Sequence, residues 1–141
     1  MLKLLASFFI SLLLMSSAFA EDINQSDKAA VQQVIGGQLE AFKAEDGAMA
    51  YSFAAPIVTK AFPTVEKFMA MVKGGYQPIL QNRKYTFGKA KIDTLGRPAQ
   101  HVTITAADGK RYEAVYAMQK QADGSWKIAG VQMVEIPGLE V

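Results

Sequence analysis

The chain has 141 residues, half of them hydrophobic, with 15 Lys and Arg against 13 Asp and Glu, a single His and no Cys. That length fits one domain with a modest single core. The interspersed, nearly balanced charge excludes a basic nucleic-acid surface, and the missing thiols exclude disulfides and attachment as a lipoprotein.

The first twenty residues carry the clearest signal. Lys3 precedes an apolar run, Leu4–Met15, broken only by Ser7 and Ser11, and Ala18-Phe19-Ala20 follows. This pattern predicts a secretory signal peptide over residues 1–20, cut after Ala20. The apolar core falls short of the about 20 residues a membrane span requires. The mature protein is then one domain, residues 21–141, working in the periplasm or outside the cell.

Asn24 and Asp27 form a capping-box-like pair ahead of Val31, Val34, Ile35, Leu39 and Phe42, whose spacing predicts an amphipathic helix ending near Ala44. Gln38 falls at the centre of its apolar stripe, flanked by Gly36 and Gly37. Asp46 is placed to cap a short helix over Gly47–Ala54. A helical turn over Ile57–Phe62 follows Pro56. Thr64 then caps a third helix with Val65, Phe68, Met69 and Val72 inward, ended by Gly74-Gly75. The stretch Gly74–Asn82 reads as a long loop.

The second half alternates. Tyr85–Ile92, Ala99–Ala106, Lys110–Gln119 and Ser125–Glu135 are expected strands. Two identical loops, Ala107-Asp108-Gly109 and Ala122-Asp123-Gly124, suit a type I turn closed by a glycine at positive φ. That turn sets the register. It places Gln100 opposite Tyr116, Val102 opposite Ala114 and Ile104 opposite Tyr112. Continued through the last strand, it sets Tyr116 against Gly130, Ala114 against Gln132 and Tyr112 against Val134. The polar members of the inner face are then Gln100, Tyr112, Tyr116 and Gln132, with a gap at Gly130. The outer face carries Val115, Val131 and Met133 with Ala99, Ala117, Ala129 and His101.

The expected fold class is α+β, with N-terminal helices packed on a curved antiparallel sheet. The leading helix Val31–Phe42, the segment Ala50-Tyr51-Ser52-Phe53 and the closing Asp123-Gly124-Ser125-Trp126-Lys127-Ile128 resemble the cone-shaped nuclear transport factor 2-like superfamily, including SnoaL-like proteins. Gln38-Leu39-Glu40-Ala41-Phe42, Tyr51-Ser52-Phe53-Ala54 and Phe68-Met69-Ala70-Met71-Val72 also resemble a small bacterial family of secreted proteins of unknown function. Enzymes of the superfamily keep an Asp, or an Asp/His pair, inside the cone as general base.

No carboxylate or imidazole of this chain is expected inside. Asp108 and Asp123 are turn residues, Glu113 and Glu135 face outward, and so does His101. Neither catalytic residues nor a metal site nor a cofactor is therefore expected. Gln38, Gln100, Tyr112, Tyr116 and Gln132 remain as interior polar groups. They form either a hydrogen-bonded network in a filled core or the ligand-binding groups of a small apolar pocket, with Gly36, Gly37 and Gly130 supplying space. The leading expectation is a non-enzymatic protein binding a small apolar ligand or a protein partner. The alternatives are an isomerase or hydro-lyase using the pocket, and a structural module. The last would dimerise through the outer patch of Val115, Val131 and Met133.

Overall fold

The computed structural model describes residues 23–138; the expected signal peptide lies outside the described residues. Five helices precede four strands: α1 (Gln25–Lys43), α2 (Gly47–Ser52), α3 (Pro56–Ala61), α4 (Val65–Gly75), α5 (Gln77–Leu80), β1 (Asn82–Ile92), β2 (Pro98–Ala106), β3 (Arg111–Lys120) and β4 (Trp126–Ile136). The strands form an open antiparallel meander in the order β1-β2-β3-β4, with the helices packed against it, so the fold class is α+β. Among the described residues no helix is long and apolar enough to cross a membrane.

The helix starts follow their caps. Asn24 Oδ1 accepts from the Asp27 N–H at 2.8 Å, Asp46 Oδ1 from Met49 at 3.0 Å and Thr64 Oγ1 from Lys67 at 3.2 Å. α1 buries Val31, Ile35, Gln38, Leu39, Ala41 and Phe42. Against them lie Val102, Ile104, Ala114, Tyr116, Met118 and Ile128 of the sheet. α5 occupies part of the stretch expected as a loop. Its Ile79 is buried, and the carbonyls of Ile79 and Leu39 both accept from Asn82 Nδ2, at 2.7 and 3.1 Å.

Both Ala-Asp-Gly loops adopt the expected turn. Gly109 and Gly124 have φ of 85° and 86°, and Asp108 and Asp123 accept from the N–H two residues on. The β2–β3 register follows: Gln100 faces Tyr116, Val102 faces Ala114 and Ile104 faces Tyr112.

The β3–β4 register agrees only as far as Met118 opposite Ile128. There β4 gains one residue, and beyond it Gly130 faces Ala117, Val131 faces Tyr116 and Met133 faces Ala114. The expected faces of the outer half of β4 are therefore inverted. Val131 and Met133 pack against the core, whereas Gln132 is exposed and Val134 is 69 % exposed. The physical reason is burial. Unbroken alternation would bury an amide and leave a valine and a methionine in water, and a one-residue bulge near Ala129 reverses that cost.

The expected outer patch is corrected accordingly. Val131 and Met133 do not belong to it; the open face instead presents Ala99, His101, Val115, Ala117, Gln132 and Val134. The two borders of the sheet also differ. β1 has two irregularities and carries Arg83, Lys84, Lys89 and Lys91. β4 is bridged at Ile128 alone, whose N–H donates to the Phe53 carbonyl at 2.9 Å and whose carbonyl accepts from Ala55 at 2.8 Å.

Candidate functional site

The Phe53–Ala55 bridge onto Ile128 has a consequence for the chain that follows. It anchors the start of α3 at the sheet border, and the Tyr51 hydroxyl anchors the end, donating to the Phe62 carbonyl at 2.7 Å. Between these points α3 contains no buried residue. It lies as a strap over a pocket of about 330 Å3. Ligand sites start at about 300 Å3.

Ile57, Val58 and Ala61 of α3, with Phe62 at its C-cap, form one wall. Phe68, Met71 and Val72 of α4, with Tyr76 and Ile79, form the second, and the bulged segment Ile128–Val131 forms the third. Phe42 and Gln38 reach in from α1. The aromatic floor is ordered by contact: the Phe42 and Phe68 rings stack at 6.4 Å, and Tyr51 tilts onto Phe68 at 5.2 Å. The lining contains no Asp, Glu, Lys, Arg or His. Its polar side chains are Gln38, 5 % exposed, and Tyr76, whose hydroxyl donates to the Val131 carbonyl at 3.3 Å.

Gln38 is thus inward, as helical phase requires, but its partner is neither Tyr116 nor Gln132. Nε2 donates to the Ala50 carbonyl at 3.1 Å. Oε1 accepts no hydrogen bond from the described residues, and its side chain lines the pocket.

The other four interior candidates do not line the pocket. Gln100 is fully buried and fully engaged. Its Nε2 reaches the carbonyls of Gly88, Lys89 and His101 at 3.0, 3.3 and 2.8 Å, and Oε1 accepts from Gln32 at 3.3 Å. It serves the irregular stretch of β1 between Phe87 and Ala90, whose carbonyls would otherwise go unpaired. Tyr116 is fully buried without a hydroxyl partner, and burial pushes its phenol far above the ordinary range. Tyr112 is half-buried opposite Ile104 and Glu135. Gln132 is on the open face, for the register reason given above.

The glycine expectation divides in the same way. Gly130 lines the pocket, but a Cβ on Gly37 would sit 2.7 Å from Phe53 Cζ, so that space is already filled. Gly36 abuts Tyr85 and Phe87. The wall residues not marked as a site by the sequence have one local signal: Ile57, Val58 and Ala61 of α3 and its C-cap Phe62 recur at helical spacing.

The ionisable groups lie elsewhere. His101 Nδ1 meets Glu113 Oε1 at 2.7 Å on the open face. Glu40 accepts from the Tyr85 hydroxyl at 2.9 Å and from Lys43 at 3.3 Å, and these two bonds hold its carboxyl below the usual range. The pocket can therefore enclose apolar matter and offer it neutral hydrogen-bonding groups.

A family model described as a domain of unknown function, DUF4864, matches residues 24–141. The chain belongs to that family. No curated protein and no solved structure matches it. The matched stretch runs from the Asn24 cap through all four strands, so every wall of the pocket lies within the DUF4864 domain.

Proposed function

We propose that this protein is an exported binding protein without catalytic activity, whose pocket beneath α3 takes a small, largely apolar ligand. The observation that carries this reading is the pocket itself: apolar walls from three elements around a nearly buried carboxamide. Such a combination suits binding, because apolar contact supplies affinity and a few placed polar groups supply orientation. Helices first, then a meander covered on one face, supports kinship with the cone-shaped nuclear transport factor 2-like superfamily. Export rests on residues 1–20 of the sequence and is checked by the intact mass of the exported chain, expected to begin at Glu21.

The pocket is tested with N-phenyl-naphthylamine, a neutral probe that fluoresces in apolar surroundings. Wild type should bind it saturably with one site per chain. Ala61 is an exposed strap residue on the pocket wall, so Ala61→Trp should fill the space without disturbing the core and abolish binding. Absence of saturable binding, or equal binding by Ala61→Trp, would overturn the reading.

A second reading has its own observation. Val134 stands exposed on the open face, opposite Glu113 and diagonal to Val115, and an exposed apolar side chain there suits contact with a second copy of the chain. A dimer in light scattering that Val134→Lys converts to a folded monomer would support it, and a wild-type monomer would remove it.

A further inference from the structure

We propose that the ligand of this pocket is an uncharged amphiphile that presents a hydroxyl or amide N–H to Gln38. The inference rests on the pocket reading above and names the chemical class that the site would select.

The first argument is electrostatic. Any ligand atom lodged among these walls leaves water and meets no opposite charge, because the lining has no basic or acidic side chain. An ionised carboxylate or ammonium would lose its hydration with nothing to replace it. Apolar walls with a basic residue at depth would have selected a fatty-acid-like anion; these walls select against one.

The second argument is the orientation of the carboxamide. The Ala50 carbonyl can only accept, so Nε2 must be the atom facing it; the flipped amide would oppose two oxygens. Oε1 is then the end left free. It is an acceptor with no donor among the described residues, on a side chain that lines the pocket. The Tyr76 hydroxyl commits its proton to Val131 O and likewise leaves its lone pairs. Both polar groups of the pocket thus offer acceptors, and the ligand must supply the donor. Nε2 keeps a second N–H. A hydroxyl, which donates and accepts, therefore suits this amide better than an ether, which only accepts, or a carboxylate, which is repelled by Oε1.

Three compounds of matched chain length separate these cases by displacement of the naphthylamine probe: octanol, its methyl ether and octanoate at neutral pH. Octanol should displace the probe at concentrations about three- to tenfold lower than the ether, the range expected for one net hydrogen bond. Octanoate should be the weakest by more than that. Gln38→Leu should abolish the preference for octanol and leave the ether unchanged. The Ala50 carbonyl keeps a partner in that variant, since it also accepts from the Phe53 N–H at 3.3 Å. Gln38→Met, closer in length, should behave alike and provides the check should Gln38→Leu fold poorly. Octanoate competing as well as octanol, a preference surviving in both variants, or no displacement by any of the three would overturn the ligand class while the pocket stands. Failure of the probe itself to bind would instead remove the pocket and the inference with it.

Discussion

Gly36 and Gly37 are adjacent in α1, yet alanine should stabilise the protein only at Gly36. Both are interior helical positions, so the backbone gain of about 1 kcal/mol on going from glycine to alanine is common to the two. What differs is the room for the methyl group. At Gly36 the new Cβ would meet Tyr85 Oη at 3.6 Å and Phe87 Cζ at 3.8 Å, ordinary contacts. At Gly37 it would lie 2.7 Å from Phe53 Cζ and 3.2 and 3.3 Å from the neighbouring ring carbons, so the ring must move. Overpacking of this kind costs about 1–3 kcal/mol. Gly36→Ala is therefore expected to stabilise by about 1 kcal/mol, raising the melting midpoint by roughly 4 °C. Gly37→Ala should be neutral to about 2 kcal/mol destabilising once the common gain is subtracted. Urea denaturation followed by circular dichroism resolves this difference. Phe53→Leu, which shortens the obstructing ring, should restore the usual alanine gain at Gly37. Because the Phe53 carbonyl holds Ile128, Gly37→Ala should also loosen the start of the strap and weaken probe binding. Equal stabilisation by the two alanines would refute the packing assigned to Phe53.

Tyr116→Phe should raise stability by about 1–3 kcal/mol in the same assay, because it removes a fully enclosed hydroxyl that has no partner; a loss would reveal an enclosed water or donor at that site. Asp93 is held below the ordinary carboxylate range chiefly by the Arg97 N–H, and Asp123 by Ser125. Their contribution is present above that range and fades as pH falls below about 4. Asp93→Asn and Asp123→Asn should therefore each flatten the acid limb of the stability profile, and unchanged limbs would count against these loop bonds. Tyr51→Phe deletes the bond holding the end of α3 and should speed probe release several-fold with little change in melting temperature, as read by stopped-flow fluorescence. An unaltered release rate would show that α3 does not gate the pocket.

The parts of the fold legible in the sequence are those fixed by neighbours in the chain. The caps at Asn24, Asp46 and Thr64 and the turns at Gly109 and Gly124 each depend on a few consecutive residues, and the β2–β3 register follows directly from the turn. The bulge near Ala129 has no comparable local signature. It arises from competition between pairing geometry and the burial of Val131 and Met133, which only the assembled sheet decides. The pocket was half visible for the same reason. Helical phase turns Gln38 inward, but its partner is a backbone carbonyl, which every residue possesses and no sequence pattern marks. The strap wall depends on α3 lying against β4, a tertiary fact set by the Phe53–Ala55 bridge to Ile128.

The unlike borders of the sheet bear on how the protein fails rather than on how it works. On β1, lysines, an arginine and two kinks discourage a foreign strand from adding on. The outer half of β4 is guarded less: Ile128 to Val134 is a run of seven residues without a charge, interrupted only by the bulge near Ala129, and its contacts at the border are the bridge at Ile128 and the Tyr76 hydroxyl on the Val131 carbonyl. Heat, acid or a mutation that frees Phe53 would uncover a template for intermolecular strand growth. Fibrils from stressed protein should therefore have their protease-resistant core in β4 and not in β1. A single lysine at Gln132, already exposed, is the change that should extend shelf life with the least disturbance of the pocket.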